Sequence, residues 1–293
     1  MFEIVVKKTL GPKITLYEVK APFIAKSALP GQFLIVRIDE EGERIPLTIC
    51  DYDKEKGTIT LVVQAVGAES TRMESLQEGD CFADVVGPLG RPSELTELSP
   101  EELKQKKLLF VAGGLGTAPV YAQLKWLHEQ GCPADCIQGA RTKDLLIMID
   151  EMEEVTDTLY LATDDGSVGI HGNVTVALQQ LHDEGKHYDL VIVIGPMIMM
   201  KFVCELTKKL GIPSIASMNT IMVDGTGMCG ACRLLVDGEV KFACVDGPEF
   251  NGHLIDFDQA MQRAKLYKDQ ETRILLRDQE KETHHGGCGL CSE

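Results

Sequence analysis

Two patterns of apolar and polar positions divide the chain, and one gives way to the other near Lys106. Before it, short segments rich in β-branched and aromatic residues read as strands: Phe2 to Thr9, Lys13 to Lys20, Gln32 to Ile38, Ile45 to Asp51, Gly57 to Gln64 and Cys81 to Val86. Gly11-Pro12, Pro30-Gly31, Glu41-Gly42, Lys56-Gly57 and Glu78-Gly79-Asp80 separate them and suit hairpins and sharp turns. Short strands at this regular spacing predict a small antiparallel barrel. Only the stretch from Gly67 to Leu76 changes to helical spacing, with Ser70 or Thr71 near its start. A helix start can hold a phosphate, although a serine there is also the ordinary helix cap.

After Lys106, buried strands alternate with helices. Strands are expected at Leu108 to Ala112, 134 to 140, 158 to 163, 189 to 194 and 212 to 216, and helices at 120 to 130, 173 to 183 and 197 to 209. That alternation predicts a doubly wound parallel sheet, an α/β domain with its ligand chemistry at the C-terminal strand ends. Beyond Met218 the segment Arg233 to Cys244 reads as a hairpin turning at Asp237-Gly238, and a last helix is expected from 256 to about 268 before a polar tail. The expected division is a barrel over 1–98, an α/β domain over 99–217, a small loop domain over 218–258, and a helix and tail over 259–293.

Composition narrows the partners. A chain of 293 residues suits two or three domains, and its 44% apolar and 25% charged residues are those of an ordinary globular protein. A formal charge of -16 argues against nucleic acid, whose phosphates are bound by excess lysine and arginine. No apolar run approaches the roughly 20 residues that span a bilayer, and Met1 leads directly into a strand, so neither a membrane anchor nor a signal peptide is expected. The ten cysteines are spread along the chain, which favours a reducing, cytoplasmic setting, with buried thiols such as Cys50 and Cys204.

Candidate chemistry lies at four places. Asp224-x4-Cys229-x2-Cys232-x11-Cys244 follows the plant-type iron-sulfur spacing, with aspartate where the first cysteine would stand. Asp224 as a turn cap, or the four residues as a zinc site, are the alternatives; zinc usually recruits two close cysteine pairs, and only one is present. The other three places are glycine-marked strand ends: Gly113-Gly114-Leu-Gly116-Thr117-Ala-Pro119, Thr163-Asp164-Asp165-Gly166, and Gly195-Pro196-Met197. Three such loops at one sheet edge make a nucleotide crevice, though the first is not the G-x-G-x-x-G fingerprint. Trp126 and His128 read as packing and surface, and Glu151 to Glu154 as a solvated face. The tail pattern His284-His285-x2-Cys288-x2-Cys291 stays unassigned.

Taken with Arg44-Ile-Pro46-Leu47-Thr48 and Gly67 to Thr71, this ordered series resembles the ferredoxin-NADP reductase superfamily over residues 1 to about 258. Within it, the chain is similar to the group containing the electron-transfer subunit of NAD-dependent dihydroorotate dehydrogenase and the small subunit of NADH-dependent reduced ferredoxin:NADP oxidoreductase. The resemblance implies FAD on the barrel, with Arg44 at its pyrophosphate, Pro46, Leu47 and Thr48 along the flavin, and Gly67, Ser70 and Thr71 holding phosphate. It implies a pyridine nucleotide at Gly113, Gly114, Gly116, Thr117, Pro119, Asp164, Asp165, Gly166, Gly195, Pro196 and Met197. It further implies a [2Fe-2S] cluster on Asp224, Cys229, Cys232 and Cys244, the aspartate being the feature shared with the ferredoxin:NADP oxidoreductase group where dihydroorotate dehydrogenase subunits use four cysteines.

Charge then selects the nucleotide. Asp164 and Asp165 would repel a 2'-phosphate and can accept a ribose hydroxyl, which favours NAD(H), while Arg141 and Lys143 after the second strand are basic groups that could reach a phosphate. The expected function is electron transfer among NAD(H), FAD and a [2Fe-2S] cluster inside an electron-bifurcating complex. Its implied partners are a larger flavin and [4Fe-4S] subunit and, through the complex, ferredoxin. No side chain is expected to act as acid or base, since the cofactors carry the redox chemistry. A dihydroorotate dehydrogenase or sulfide dehydrogenase subunit is the enzymatic alternative, and a free-standing carrier or redox sensor the non-enzymatic one.

Overall fold

A computed structural model describes residues 2–274 and 276, so the His284 to Cys291 pattern lies outside the described residues. The barrel is built from β1 (Phe2–Gly11), β2 (Ile14–Lys20), α1 (Pro22–Ser27), β3 (Phe33–Arg37), β4 (Ile45–Asp53), β5 (Thr58–Gln64), α2 (Ala68–Met73), β6 (Cys81–Phe82) and β7 (Asp84–Leu89). Antiparallel pairing gives the order β6-β1-β2-β5-β4-β3-β7. The edge strands β6 and β7 are separated in sequence by Ala83 alone, so one continuous segment pairs with β1 and then with β3 and draws the sheet closed. The expected single strand from Cys81 to Val86 is therefore two. At the crossing, the Ala83 amide donates to the Ile38 carbonyl at 3.1 Å.

Inward-facing Ile4, Tyr17, Leu34, Ile49, Leu61 and Phe82 fill the barrel. Each such side chain stabilises the fold by roughly 1.5–3 kcal/mol through removal from water. Tyr17 also donates its hydroxyl to the Met73 carbonyl at 2.6 Å, which fixes α2 against the barrel. The short α1 gives little periodic signal, because only Ile24 and Ala25 of its six residues are buried.

The α/β domain follows as α3 (Pro100–Lys104), β8 (Leu108–Gly113), α4 (Thr117–Glu129), β9 (Ala134–Ala140), α5 (Ile149–Val155), β10 (Thr156–Thr163), β11 (Ile170–His171), α6 (Val174–Asp183), β12 (Leu190–Ile194), α7 (Met197–Leu210) and β13 (Ser214–Ser217). Ser99 and Glu102 form a reciprocal capping box that starts α3. Helix α5 was not expected: the acidic residues 151, 153 and 154 face outward, as the charge pattern suggested, but Met152 and Val155 between them are buried.

Beyond β13 come the loop 219–232, then β14 (Arg233–Val236), β15 (Glu239–Phe242), β16 (Glu249–Asn251) and α8 (Phe257–Arg263). Strands β14 and β15 form the expected hairpin, turning at Asp237 and Gly238 with φ of 54° and 75°. Strand β16 pairs antiparallel with β13 and completes the order β11-β10-β9-β8-β12-β13-β16. Consequently the loop domain is sewn into the nucleotide sheet. The two faces of β8 feed two cores: Leu109 and Val111 share one with Phe33 and Ile35 of the barrel and with Cys232, Leu234 and Cys244 of the loop domain. Leu108, Phe110 and Ala112 share the other with Ile14, Cys50 and Val62 of the barrel. Apolar packing is thus continuous across all the segments that the sequence divides.

Candidate redox cleft and cluster loop

Strand order reverses at β8, which has β9 on one side and β12 on the other, so the loops after β8 and β12 part and leave a crevice. Against it lies the barrel wall of Phe33, Pro46, Leu47 and Thr48, and together they enclose a cleft of about 870 Å³. Gly113, Gly114, Gly116, Pro119, Asp164, Gly195 and Pro196 line the opposite side. The β3–β4 register explains the barrel's share, because Thr48 sits opposite Phe33 and Pro46 opposite Ile35.

The glycines here do different things. A Cβ at Gly116 would lie 2.2 Å from the Ile194 carbonyl oxygen, so this residue lets the β8 and β12 loops touch. Gly114 has a φ of +54° and open space where a side chain would be. Its backbone is therefore bare towards the cleft, as a pyrophosphate site requires. Thr117 is fully buried and Met197 packs on the core, so neither lines the cleft; Ile198 and Met199 do.

The acidic pair is divided in the same way. Asp164 lines the cleft, whereas Asp165 turns into its own loop and accepts the Ser167 amide at 3.0 Å, and the Ser167 hydroxyl and amide hold its carboxyl below the usual range. Gly166 packs on the His171 ring, outside the cleft. The Asp164 and Asp165 amides donate to the carbonyls of Ala140 and Arg141, which brings Arg141 to the same wall.

Of the barrel residues expected at phosphate, none lines the cleft: Arg44 is exposed on the β3–β4 hairpin, and Gly67, Ser70 and Thr71 lie at the start of α2. The Ser70 hydroxyl accepts the Gly67 amide at 2.9 Å, which is the capping role. Still, the two groups are held side by side, because Arg72 of α2 binds Asp39 of the hairpin at 2.5 Å and Glu69 at 3.0 Å.

In the cluster loop, Cys232 and Cys244 are buried with their sulfurs 3.2 Å apart, brought together by the β14–β15 hairpin. Burial and the neighbouring Cys232 push the Cys244 thiol up, and the Gly227 amide pulls the other way. Cys229 is exposed, near enough for its charge to act on Cys244. Asp224 Oδ2 accepts the Thr226 amide at 3.0 Å, the Thr226 hydroxyl at 2.6 Å and the Met228 amide at 3.2 Å, while none of these bonds engages Oδ1. The Thr226 hydroxyl and amide, the Met228 amide and nearby Arg44 hold its carboxyl low. No three His, Cys, Asp or Glu side chains converge among the described residues, so the three expected ligands of the loop and Cys244 beyond the hairpin lie in one region without closing on one point. A buried thiol pair, a third thiol close by and a carboxylate with one free oxygen nonetheless fit the soft-donor chemistry of an iron-sulfur centre.

Residues 110–205 match the oxidoreductase NAD-binding domain, and residues 219–256 match the iron-sulfur cluster binding domain of dihydroorotate dehydrogenase B. The chain is 46% identical over 269 residues to the Thermotoga maritima "dihydroorotate dehydrogenase B (NAD(+)), electron transfer subunit homolog", covering 92% of each. It belongs to that family of electron transfer subunits. A second family relative, the Clostridium beijerinckii "uncharacterized protein in adh 3'region", is 55% identical over 99% of this chain and 98% of its own. Among solved structures, a chain from the NADH-dependent reduced ferredoxin-NADP oxidoreductase, studied for flavin-based electron bifurcation, superposes with a TM-score of 0.87 at 43% identity, covering 94% of this chain and 97% of that one.

As an electron transfer subunit of this family the chain is an oxidoreductase component with an NAD-binding domain, a flavin-type barrel and an iron-sulfur domain. Sequence reasoning missed several cleft residues. Gln64 on β5 and Asn219 and Met222 after β13 carry no motif of their own, and Pro248 reaches the cleft only because β16 joins the sheet. Asn173 and Thr175 had a signal: they sit at the start of α6, where Asn173 is the cap.

Proposed function

We propose that this chain is the NADH-accepting, electron-transfer subunit of an NADH-dependent ferredoxin:NADP+ oxidoreductase. The observation that carries this reading is contiguity. Gly225 of the cluster loop lies within contact distance of Ile35 and Leu89 of the barrel, and Met222 and Pro248 of the loop domain line the cleft itself. The nucleotide loops, the flavin wall and the cluster loop therefore share one set of packed residues.

Hydride acceptance and release of electrons one at a time are what FAD and a [2Fe-2S] centre supply when bound. The chain's own groups bind and orient. Pro46, Leu47 and Thr48 give a mostly apolar wall with one hydroxyl for a flavin edge, and Arg44 with Gly67, Ser70 and Thr71 meets its phosphates. Gly114 with Gly113, Gly116, Thr117 and Pro119 forms the pyrophosphate turn of NAD(H). Gly195 and Pro196 shape the facing wall, with Met197 behind them in the core, and Asp164, supported by Asp165 and Gly166, takes the ribose hydroxyl. Asp224, Cys229, Cys232 and Cys244 hold the cluster; exchange of Asp224 for serine is expected to alter the EPR g-values, and unchanged values would remove it from the ligand set.

The relatives are subunits of larger complexes, so a catalytic partner is implied. On this reading it is a larger flavin and [4Fe-4S] subunit that carries the bifurcating flavin, the NADP site and the access for ferredoxin. Among the described residues all eight cysteines are free and no helix is long and apolar enough to cross a membrane. On this reading the complex works in a reducing, cytoplasmic setting. A second reading, the dihydroorotate dehydrogenase subunit, is favoured by the match over residues 219–256. Affinity purification of the tagged chain from its own cells separates the two: copurification of a flavin and [4Fe-4S] subunit supports the first, and an orotate-forming FMN subunit in its place would overturn it.

A further inference from the structure

Beneath the cleft lies a polar cluster that none of these binding roles uses. Glu249 follows Pro248 and pairs with Ser217 in the β13–β16 register, and both of those residues line the cleft. Its Oε1 accepts a 2.5 Å hydrogen bond from Gln123 Nε2, one turn of α4 beyond Pro119. Ser93, only 1% exposed, places its hydroxyl against the same carboxylate and packs on Gly31, two residues before Phe33. Two segments that build walls of the cleft, and a third that packs on the barrel beside Phe33, thus each send one side chain to a common buried point.

The cluster is underbonded. Glu249 Oε2, Gln123 Oε1 and Ser93 Oγ are all buried, and none has a hydrogen-bond partner within geometric reach among the described residues. Buried polar atoms in folded proteins are rarely left so. The Ser93 hydroxyl is one donor for two open acceptors, Glu249 Oε2 and Gln123 Oε1, and a protonated Glu249 supplies the second. Burial, the largest cause, raises its pKa to about 7. Ser93 and Gln123 act in the opposite sense, Glu94 opposes ionisation, and no lysine, arginine or histidine is among the groups acting on it.

We infer that Glu249 is a proton acceptor coupled to the electron load of the cleft, a carboxylate when the cleft is oxidised and a carboxylic acid when it holds the electron pair of a hydride. The inference rests on the proposed function. NADH transfers two electrons and one proton and leaves as NAD+, which adds one negative charge to the cleft. One further proton from solvent forms an O–H bond on Glu249, no protein bond breaks, and the proton returns to solvent as the electrons depart. In an effective dielectric of about 20, a unit charge raises a carboxyl pKa by on the order of one unit out to roughly 10 Å. For a group titrating near neutrality, that is enough to change its state.

The test is proton uptake by the FAD- and cluster-loaded chain on anaerobic reduction with one equivalent of NADH, read by a pH indicator in weak buffer near pH 7.5 and by infrared difference spectroscopy. The wild type is expected to take up on the order of half a proton per hydride more than E249Q and to show a carboxylic-acid band that E249Q lacks. E249D, kept for the case that E249Q fails to fold, is expected to shift the pH midpoint of the uptake. Equal uptake and an unchanged band in E249Q, or an unmoved midpoint in E249D, would overturn the inference. Flavin bleaching separates the two readings. A chain that binds no FAD, or whose FAD is not bleached by NADH, sinks the proposed function and this inference with it, whereas normal bleaching with unaltered uptake removes only the role of Glu249.

Discussion

The cleft and the cluster loop lie side by side but are organised on opposite terms. The cleft is built by backbone packing between elements of two domains, with Gly116 touching the Ile194 carbonyl and Met199 wedged against Gly113 and Gly195. Its shape is over-determined by the fold. The loop 219–232 has no regular secondary structure, and it brings only Cys232 and Cys244 into direct sulfur contact. On the proposed reading its remaining geometry is set on cluster binding, since metal binding and local folding are one process at such sites. On the same reading, a nucleotide comes and goes from a preformed first region, while the second closes its ligand set only around its cluster.

Breaking the loop gives the largest expected effect. Cys232→Ser removes half of the buried thiol pair, and iron content and the EPR signal of the reduced cluster are expected to fall by an order of magnitude or more, while FAD content and its bleaching by NADH persist. Loss of FAD together with iron would show that the two regions are not independent. Next is the cleft. Gly116→Ala drives a methyl group into backbone that cannot rotate away, at a cost of roughly 2–4 kcal/mol in stability. NADH affinity is expected to drop at least about tenfold, measured by titration calorimetry, with iron per folded chain unchanged.

Within the cleft, Asp164 is the carboxylate proposed to discriminate, and Arg141 already stands on the same wall. Asp164→Ser is therefore expected to raise the ratio of NADPH to NADH kcat/KM by roughly 10- to 100-fold, a change of about 1.4–2.7 kcal/mol. A matching change from Asp165→Ser would contradict the division of the pair. The smallest effect belongs to the seam between barrel and α4, where Lys125 binds Asp51 at 2.7 Å with both side chains about one-third exposed. Lys125→Ala is expected to cost no more than about 1 kcal/mol, read from denaturant midpoints, and less at high salt.

The sequence carries the two regions unequally. The first five strands of the barrel, the βα alternation and the Asp237-Gly238 hairpin are legible, because each rests on local periodicity or turn chemistry. The Cys81 to Val86 segment is not, since its split at Ala83 comes from pairing with two distant strands. In the site, the glycine loops announce the crevice, but residue type alone cannot say that Asp164 faces it while Asp165 closes a turn, or that Thr117 is buried. Glu249 carries no motif at all. Its place beneath the cleft arises from the pairing of β16 with β13, a contact between segments that the chain separates by the whole cluster loop.

The central claim is that electrons from NADH pass through the flavin cleft into the cluster held by residues 224–244. Anaerobic titration of the purified chain with NADH, followed by visible absorbance and by EPR of samples frozen at each addition, tests it most directly. Bleaching of the flavin together with growth of the reduced-cluster signal is the expected result, and in Cys232→Ser the bleaching alone. A cluster that stays EPR-silent with NADH yet is reduced by dithionite, while the flavin bleaches fully, would allow for a potential mismatch only if added partner restored the signal. Silence with the partner present would contradict the account.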